Sequence, residues 1–165
     1  MRRVLLSLAT LVVLWFAGRA LVRFFASDEM KLRWAVESMI DGFNRTRTDD
    51  VLAGLAPDFL DESFGADRAM VRQACAYLFF QAKDPTTKGF LYVAECEPSE
   101  IVVTKGHGSE PARAEAKLDA RFFEKKGEER ALVWRIEVRA RFVEEAGEWR
   151  ISRSETRTID GERLR

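Results

Sequence analysis

Arg153, Glu155 and Arg157 are the residues whose types and spacing most invite chemistry. They take alternate positions after Trp149 and Ile151, so the two-residue period of a strand puts all five side chains, with Ile159, on one face. A turn at Glu145-Ala146 that sets Trp149 beside Phe142 brings Arg153 beside Val138, Glu155 beside Ile136 and Arg157 beside Trp134. Ionised groups on an apolar face are costly unless they are paired or hydrated. This placement therefore implies a water-containing cavity, a small polar or anionic ligand, or a buried ladder of ion pairs. The opposite placement is open as well: a twist or bulge beyond Ile151 leaves the three charges in solvent. Cys75 and Cys96 have neither metal nor redox spacing; they read as small buried hydrophobes, or as a disulfide if the domain is exported. The sequence carries no metal motif and implies no cofactor.

The elements that must position these residues divide into a helical first half and a strand-rich second half, an α+β order. Ser27 with Asp28 and Glu29 starts a helix whose apolar stripe is Leu32, Val36, Met39, Ile40 and Phe43, with Trp34 off its centre. Thr48 or Asp49 starts a short second helix through Leu55, ended by Pro57. Asp67 caps a third, with Met70, Val71, Ala74, Cys75 and Leu78 as its buried stripe up to about Gln81. Strand character runs over residues 90–96, breaks at Glu97-Pro98 and resumes over 101–104. Two longer strands, 112–122 and 132–142, each alternate one apolar and one charged face. Pairing them so that Phe122 faces Leu132 sets Glu115 opposite Arg139, Lys117 opposite Glu137 and Asp119 opposite Arg135. Strands of about 12 residues run about 40 Å, longer than a small domain is wide, so the sheet must bend.

Residues 1–26 have a different character. Met1-Arg2-Arg3 precede an apolar run from Val4 to Gly18, 15 residues long, and the apolar surface continues to Phe25 if Arg19 snorkels toward the headgroups. A spanning helix needs roughly 17 to 25 residues. The segment reads as a signal anchor in a membrane over residues 4–25, or as a cleaved secretory signal with Gly18-Arg19-Ala20 at the processing site. Arginines flank both sides, so the charge rule sets no orientation. The very short N-terminal tail places the domain on the extracytoplasmic side of the inner membrane, in a periplasm if the chain is bacterial. Without residues 1–25, 23 of the 27 basic side chains remain against all 27 acidic ones, a net charge of −4. The basic residues are interleaved with acids and form no basic face, which excludes nucleic acid as a partner. Residues 27–165 are enough for one domain with a substantial core.

Val36-Glu37-Ser38-Met39-Ile40-Asp41-Gly42-Phe43, then Asp50-Val51-Leu52-Ala53-Gly54-Leu55, Pro57-Asp58-Phe59-Leu60 and Gly147-Glu148-Trp149-Arg150-Ile151 occur in that order. The pattern resembles the nuclear transport factor 2-like (NTF2-like) superfamily over most of residues 30–160. The resemblance implies a cone of three helices in the concavity of a strongly curved, mostly antiparallel sheet, with a pocket between them. The superfamily holds ketosteroid isomerases, scytalone dehydratases and polyketide cyclases beside non-enzymatic binding and assembly domains, and fold alone does not choose. Ketosteroid isomerases carry a carboxylate base after the second helix, where Asp61 and Glu62 fall here; with Asp58 these also read as a solvated, turn-forming loop. Such a base needs an oxyanion partner, and neither Tyr77 nor Tyr92, the only tyrosines, falls at a matching position. His107, the only histidine, sits in a turn away from the pocket, which excludes chemistry on paired histidines.

The reading that follows is a membrane-anchored, non-catalytic binding or assembly domain with a small ligand or a membrane protein as its partner. One alternative is a small-molecule isomerase, dehydratase or cyclase using Asp61 or Glu62, with Arg153 or Arg157 orienting an anionic substrate. Another is an envelope scaffold, the role of anchored superfamily members in type IV secretion systems. A concavity plugged by Trp34, Phe43, Phe79, Phe80 and Trp134 favours assembly, and a perturbed carboxylate in an enclosed cavity favours the enzyme. Superfamily members often dimerise through the outer sheet face, but charged outer strands imply a monomer or weak dimer here.

Overall fold

The structure is a computed structural model that describes residues 26–106, 110–127 and 129–164. The anchor expected over residues 4–25, and His107, lie outside the described residues. Among the described residues no helix is long and apolar enough to cross a membrane. The elements follow as α1 (Asp28–Asn44), α2 (Thr48–Ala53), β1 (Leu55–Asp61), β2 (Ala66–Asp67), α3 (Arg68–Gln81), β3 (Tyr92–Thr104), β4 (Arg113–Lys126), β5 (Glu129–Glu145) and β6 (Glu148–Gly161).

Both long helices start where a polar side chain can satisfy an unpaired amide. The Ser27 hydroxyl accepts from the Met30 amide at 3.3 Å, with Asp28 and Glu29 in the positive first turn, and the Asp67 carboxylate accepts from the Met70 amide at 2.8 Å. Gly42 is needed where α1 meets α2, because a Cβ there would lie 2.7 Å from Asp50 Cβ. At the end of α1, Asn44 bonds both the amide and the carbonyl of Ala94, at 2.7 and 2.9 Å, and so occupies polar groups on the strand at the sheet's edge.

The six strands form one curved sheet in the order β2-β1-β6-β5-β4-β3, antiparallel except for the β1–β6 pair. The strand after α2 corrects the helix expected through Leu55 and the loop expected at Asp58 and Asp61, while Glu62 does lie in a turn: α2 ends at Ala53, and Leu55 already enters β1, held by the Ile151 amide on the Gly54 carbonyl. The break expected at Glu97-Pro98 falls at Glu100 instead, which takes a φ of 50° at a register shift. Pro98 stays in β3, where an edge strand leaves its missing amide without cost.

The long strands bend at irregularities. Register shifts fall at Phe122/Phe123 on β4, at Arg135/Ile136 and Arg141/Phe142 between β5 and β6, and at Ser99/Val102 on β3. The β4–β5 register differs from the expected one by two residues: Phe122 faces Trp134, Lys117 faces Arg139 and Asp119 faces Glu137. A two-residue slip keeps every side chain on its face, and the charges still pair on the diagonal. Lys117 reaches Glu137 at 2.9 Å and Arg135 grips Asp119 at 2.8 and 3.1 Å. On the inner face Ala114, Ala116 and Ala140 leave room for α1, whose Leu32 and Val36 pack there with Phe142, Trp149 and Ile151. A second cluster joins Val51, Cys75, Phe79, Ala82 and Phe90 beneath α3. The buried side of α3 is thus Val71, Cys75, Leu78 and Phe79; Met70 and Ala74, expected inside, are exposed.

Candidate functional site

The inward face of β6 changes identity at one residue. Phe142 faces Ile151, yet Arg141 faces Arg153, so Ser152 is an extra residue, its hydroxyl bonded to the Arg141 carbonyl at 3.2 Å. Beyond this bulge Ser154, Thr156 and Thr158 stand opposite Ala140, Val138 and Ile136, whereas Arg153, Glu155 and Arg157 stand opposite Arg141, Arg139 and Glu137 on the outer face. Of the two placements open from the sequence, the bulge beyond Ile151 is the one found: the three charges lie outside, not beside Trp134, Ile136 and Val138. Burying them would leave ionised groups among apolar neighbours, while a hydroxyl can be turned inward if it finds one acceptor. Ile159, expected inside, falls at the next register shift and is exposed. The alternating run Ser154, Thr156, Thr158 is the sequence signal that chooses between the two phases.

The acceptor is Asp61. At 5 % exposure it is, with Ser154, one of two buried polar side chains among the described residues. Its Oδ2 accepts from the Ser154 and Thr156 hydroxyls at 2.7 Å each, and its Oδ1 from the amides of Ser63 and Phe64 at 3.1 and 2.9 Å. Ser63 in turn accepts from the Thr156 amide at 2.8 Å. The carboxylate thus ties the end of β1 and its turn to β6, and its four acceptor positions are all filled. A general base needs a lone pair aimed at the substrate, which this geometry withholds. Glu62 does not join it. It turns to the outer face and pairs with Arg141 at 2.8 Å. Tyr77 points outward from α3, and the Tyr92 ring packs edge-on to Phe90. Neither is bonded to Asp61.

The middle of the concavity is filled by rings. Phe43 meets Phe79, Phe90 and Phe122 edge-on with centroids 5.4 to 5.6 Å apart, and Phe122 stacks on Trp134 at 5.2 Å. The Trp134 indole N–H donates to the Thr158 hydroxyl at 3.2 Å. Trp34 and Phe80, expected in this plug, are elsewhere: Trp34 lines a groove of about 220 Å3 between α1 and the β5–β6 turn, and Phe80 is exposed.

A larger open cleft of about 510 Å3 lies on the outer face, lined by Arg113, Arg141 and Arg153 with Asp58, Glu115 and Glu145. Arg153 donates to the Asp58 carbonyl at 2.7 Å and lies 3.7 Å from its carboxylate. Beside the cleft the outer face continues as a diagonal lattice of opposite charges. The hydrogen bond from Arg135 holds the Asp119 carboxyl below its ordinary range, and Lys117 does the same for Glu137. Cys75 and Cys96 are unpaired thiols; burial first, then the nearby Asp119 and Glu97 carboxylates, push Cys96 up to about 12. Among the described residues no cluster of three His, Cys, Asp or Glu could hold a metal ion.

No protein-family model matches this chain, and no curated protein does. Solved structures share its fold. An NTF2-like protein with a cystatin-like fold from Novosphingobium aromaticivorans superposes at a TM-score of 0.56 and 15 % identity, over 89 % of this chain and 90 % of that one. A scytalone dehydratase-like protein from the same organism does so at 0.53 and 16 %, over 79 % and 85 %. A ketosteroid isomerase-like protein from Erwinia carotovora atroseptica does so at 0.51 and 15 %, over 82 % and 99 %. These superpositions show the cystatin-like α+β fold, and at identities this low they carry no activity across.

Proposed function

We infer that this chain is a non-catalytic binding or assembly domain, held at a membrane by residues 4–25, whose recognition surface is the outer face of the sheet. The observation that carries this reading is the saturation of Asp61: the buried carboxylate nearest to a base position is committed to two hydroxyls and two amides. The aromatic filling of the concavity supports it, since rings in mutual contact leave little room for a substrate beside that carboxylate. Glu62, the other carboxylate at that point of the chain, is neutralised by Arg141 on the opposite face. What the fold presents to a partner instead is the cleft with three guanidinium groups, of which Arg153 and Arg141 are already positioned by Asp58 and Glu62. A polar segment of a membrane-proximal partner suits it, because the arginines offer directed donors and the Asp58, Glu115 and Glu145 carboxylates beside them offer acceptors.

Asp61→Asn tests the reading. The amide must set an N–H against two amide donors or against two hydroxyls that then have to reverse, so the account expects a loss of about 1–3 kcal/mol in denaturant unfolding. Unchanged stability would free this residue from its structural duty and return it to the role of a base, as in the isomerase-type alternative.

A further inference from the structure

Three buried side-chain nitrogens have no hydrogen-bond partner among the described residues: Arg68 Nε, Arg150 Nε and Trp149 Nε1. The two arginines bond through their other nitrogens, Arg68 to the Leu52 carbonyl at 3.3 Å and Arg150 to Glu145 and Glu148 at 3.1 and 3.2 Å. An indole has a single donor, so Trp149 is left with nothing satisfied. Trp134 shows the ordinary outcome, its N–H resting on the Thr158 hydroxyl. A buried donor without an acceptor is costly, and the core cluster that Trp149 joins contributes only apolar side chains. The open space that Trp149 borders is the groove of about 220 Å3 beside α1.

The other walls of this groove limit what fits. Ala35, Ala53, Gly54 and Gly147 keep it open, and the half-buried Trp34 adds a second aromatic wall. Both charges in its lining are engaged by neighbours, Lys31 with Asp28 at 3.5 Å and Glu148 with Arg150 at 3.2 Å. An ionic ligand would lose its hydration there without meeting a free counterion. The space is that of about seven waters, below the range of drug-sized pockets.

We propose that the groove binds a small, flat, neutral molecule whose carbonyl oxygen accepts from the Trp149 indole N–H. Aryl ketones and aryl amides have this chemistry. Trp149 is 2 % exposed, so the oxygen reaches it from within the groove. The Lys31 and Glu148 ion pairs are partly solvent-facing and weak, which lets both long side chains turn aside to admit it. A molecule of the same shape without the oxygen leaves the donor unpaired, so selectivity resides in that one bond. The groove shares no lining residue with the outer-face cleft and stands independently of the role proposed for it.

Indole N–H magnetic resonance of the isotope-labelled full chain in detergent tests this, with acetophenone as the probe and ethylbenzene as its counterpart without the oxygen. The four tryptophans give four signals, and Trp149→Phe, which keeps a ring in the core, identifies the one concerned. If that variant does not fold, Trp15→Phe, Trp34→Phe and Trp134→Phe make the same assignment by elimination. The expected result is a saturable downfield shift of the Trp149 signal with acetophenone, and binding of ethylbenzene at least about tenfold weaker. Ala53→Phe, at an exposed position of the groove wall, should abolish the shift with unfolding unchanged. A Trp149 signal that acetophenone leaves in place, equal affinity for ethylbenzene, or a shift that survives Ala53→Phe would overturn the proposal.

Discussion

Strands β5 and β6 lie side by side and solve the same problem differently. From Ile136 to Phe142, β5 keeps one phase, with Ile136, Val138, Ala140 and Phe142 inside and Glu137, Arg139 and Arg141 outside. β6 begins in the matching phase with Trp149 and Ile151, then spends Ser152 on a bulge and continues with Ser154 buried and Thr156 half-buried on the inner face, Thr158 following on that face but exposed. The difference teaches that a strand's inward set follows the cost of burial at each position. Apolar side chains hold the phase on β5; on β6, extending it would bury Arg153, Glu155 and Arg157, and a one-residue bulge costs less than three desolvated charges. The hydroxyls that replace them inside are acceptable because Asp61 receives two of them.

The largest effect expected from breaking this arrangement lies before the bulge. Trp149 is 2 % exposed at the centre of the main core, so Trp149→Ala should cost about 3–5 kcal/mol in denaturant unfolding. Retention of full stability would mean that β6 does not enter the core at that residue. Beyond the bulge, Thr156→Glu sets a second carboxylate against Asp61 and should cost roughly 3 kcal/mol or more, whereas the neighbouring Glu155→Thr should change stability by less than about 0.5 kcal/mol. Equal effects at 155 and 156 would erase the distinction between the two faces.

A smaller effect separates the outer lattice from the inner cluster. The Asp119 carboxyl titrates below its unfolded value because Arg135 donates to it, so its contribution to stability is complete above about pH 4. As the pH falls from there toward the folded value, the unfolded chain takes up the proton first and that contribution is lost. Asp119→Asn should therefore unfold more readily near pH 6 and lose less stability between pH 4 and pH 2. Parallel pH profiles for the two proteins would show the pair to be without effect on the native state.

The parts of the fold readable from the sequence were those with one dominant signal. Ser27 and Asp67 are caps because short acceptors precede apolar periodicity, and the β4 and β5 faces follow from unbroken alternation. The β4–β5 register was missed by two because such a slip preserves both the faces and the charge partners, leaving sequence complementarity unable to tell the two apart. β1 was hidden by Pro57 and three acids, which read locally as a turn; its strand geometry comes from pairing with β6, nearly a hundred residues later. On α3 the apolar residues encircle the helix, so periodicity could not say which side faces inward. At the candidate site, Asp61 and Glu62 are adjacent and read alike, yet the end of β1 sends Asp61 inward and the turn after it sends Glu62 out, to different partners.

The phase change in β6 is the claim on which the placement of the site depends, and single-cysteine labelling tests it most directly. Maleimide reactivity would be compared for Ser154→Cys and Thr156→Cys against Glu155→Cys and Arg157→Cys in the native chain near pH 7. Cys75 and Cys96 should stay silent because burial raises both thiols. The account predicts fast labelling at 155 and 157 and slow labelling at 154 and 156. Fast labelling at 154 and 156 with protection at 155 and 157 would contradict it, and would return Arg153, Glu155 and Arg157 to the concavity.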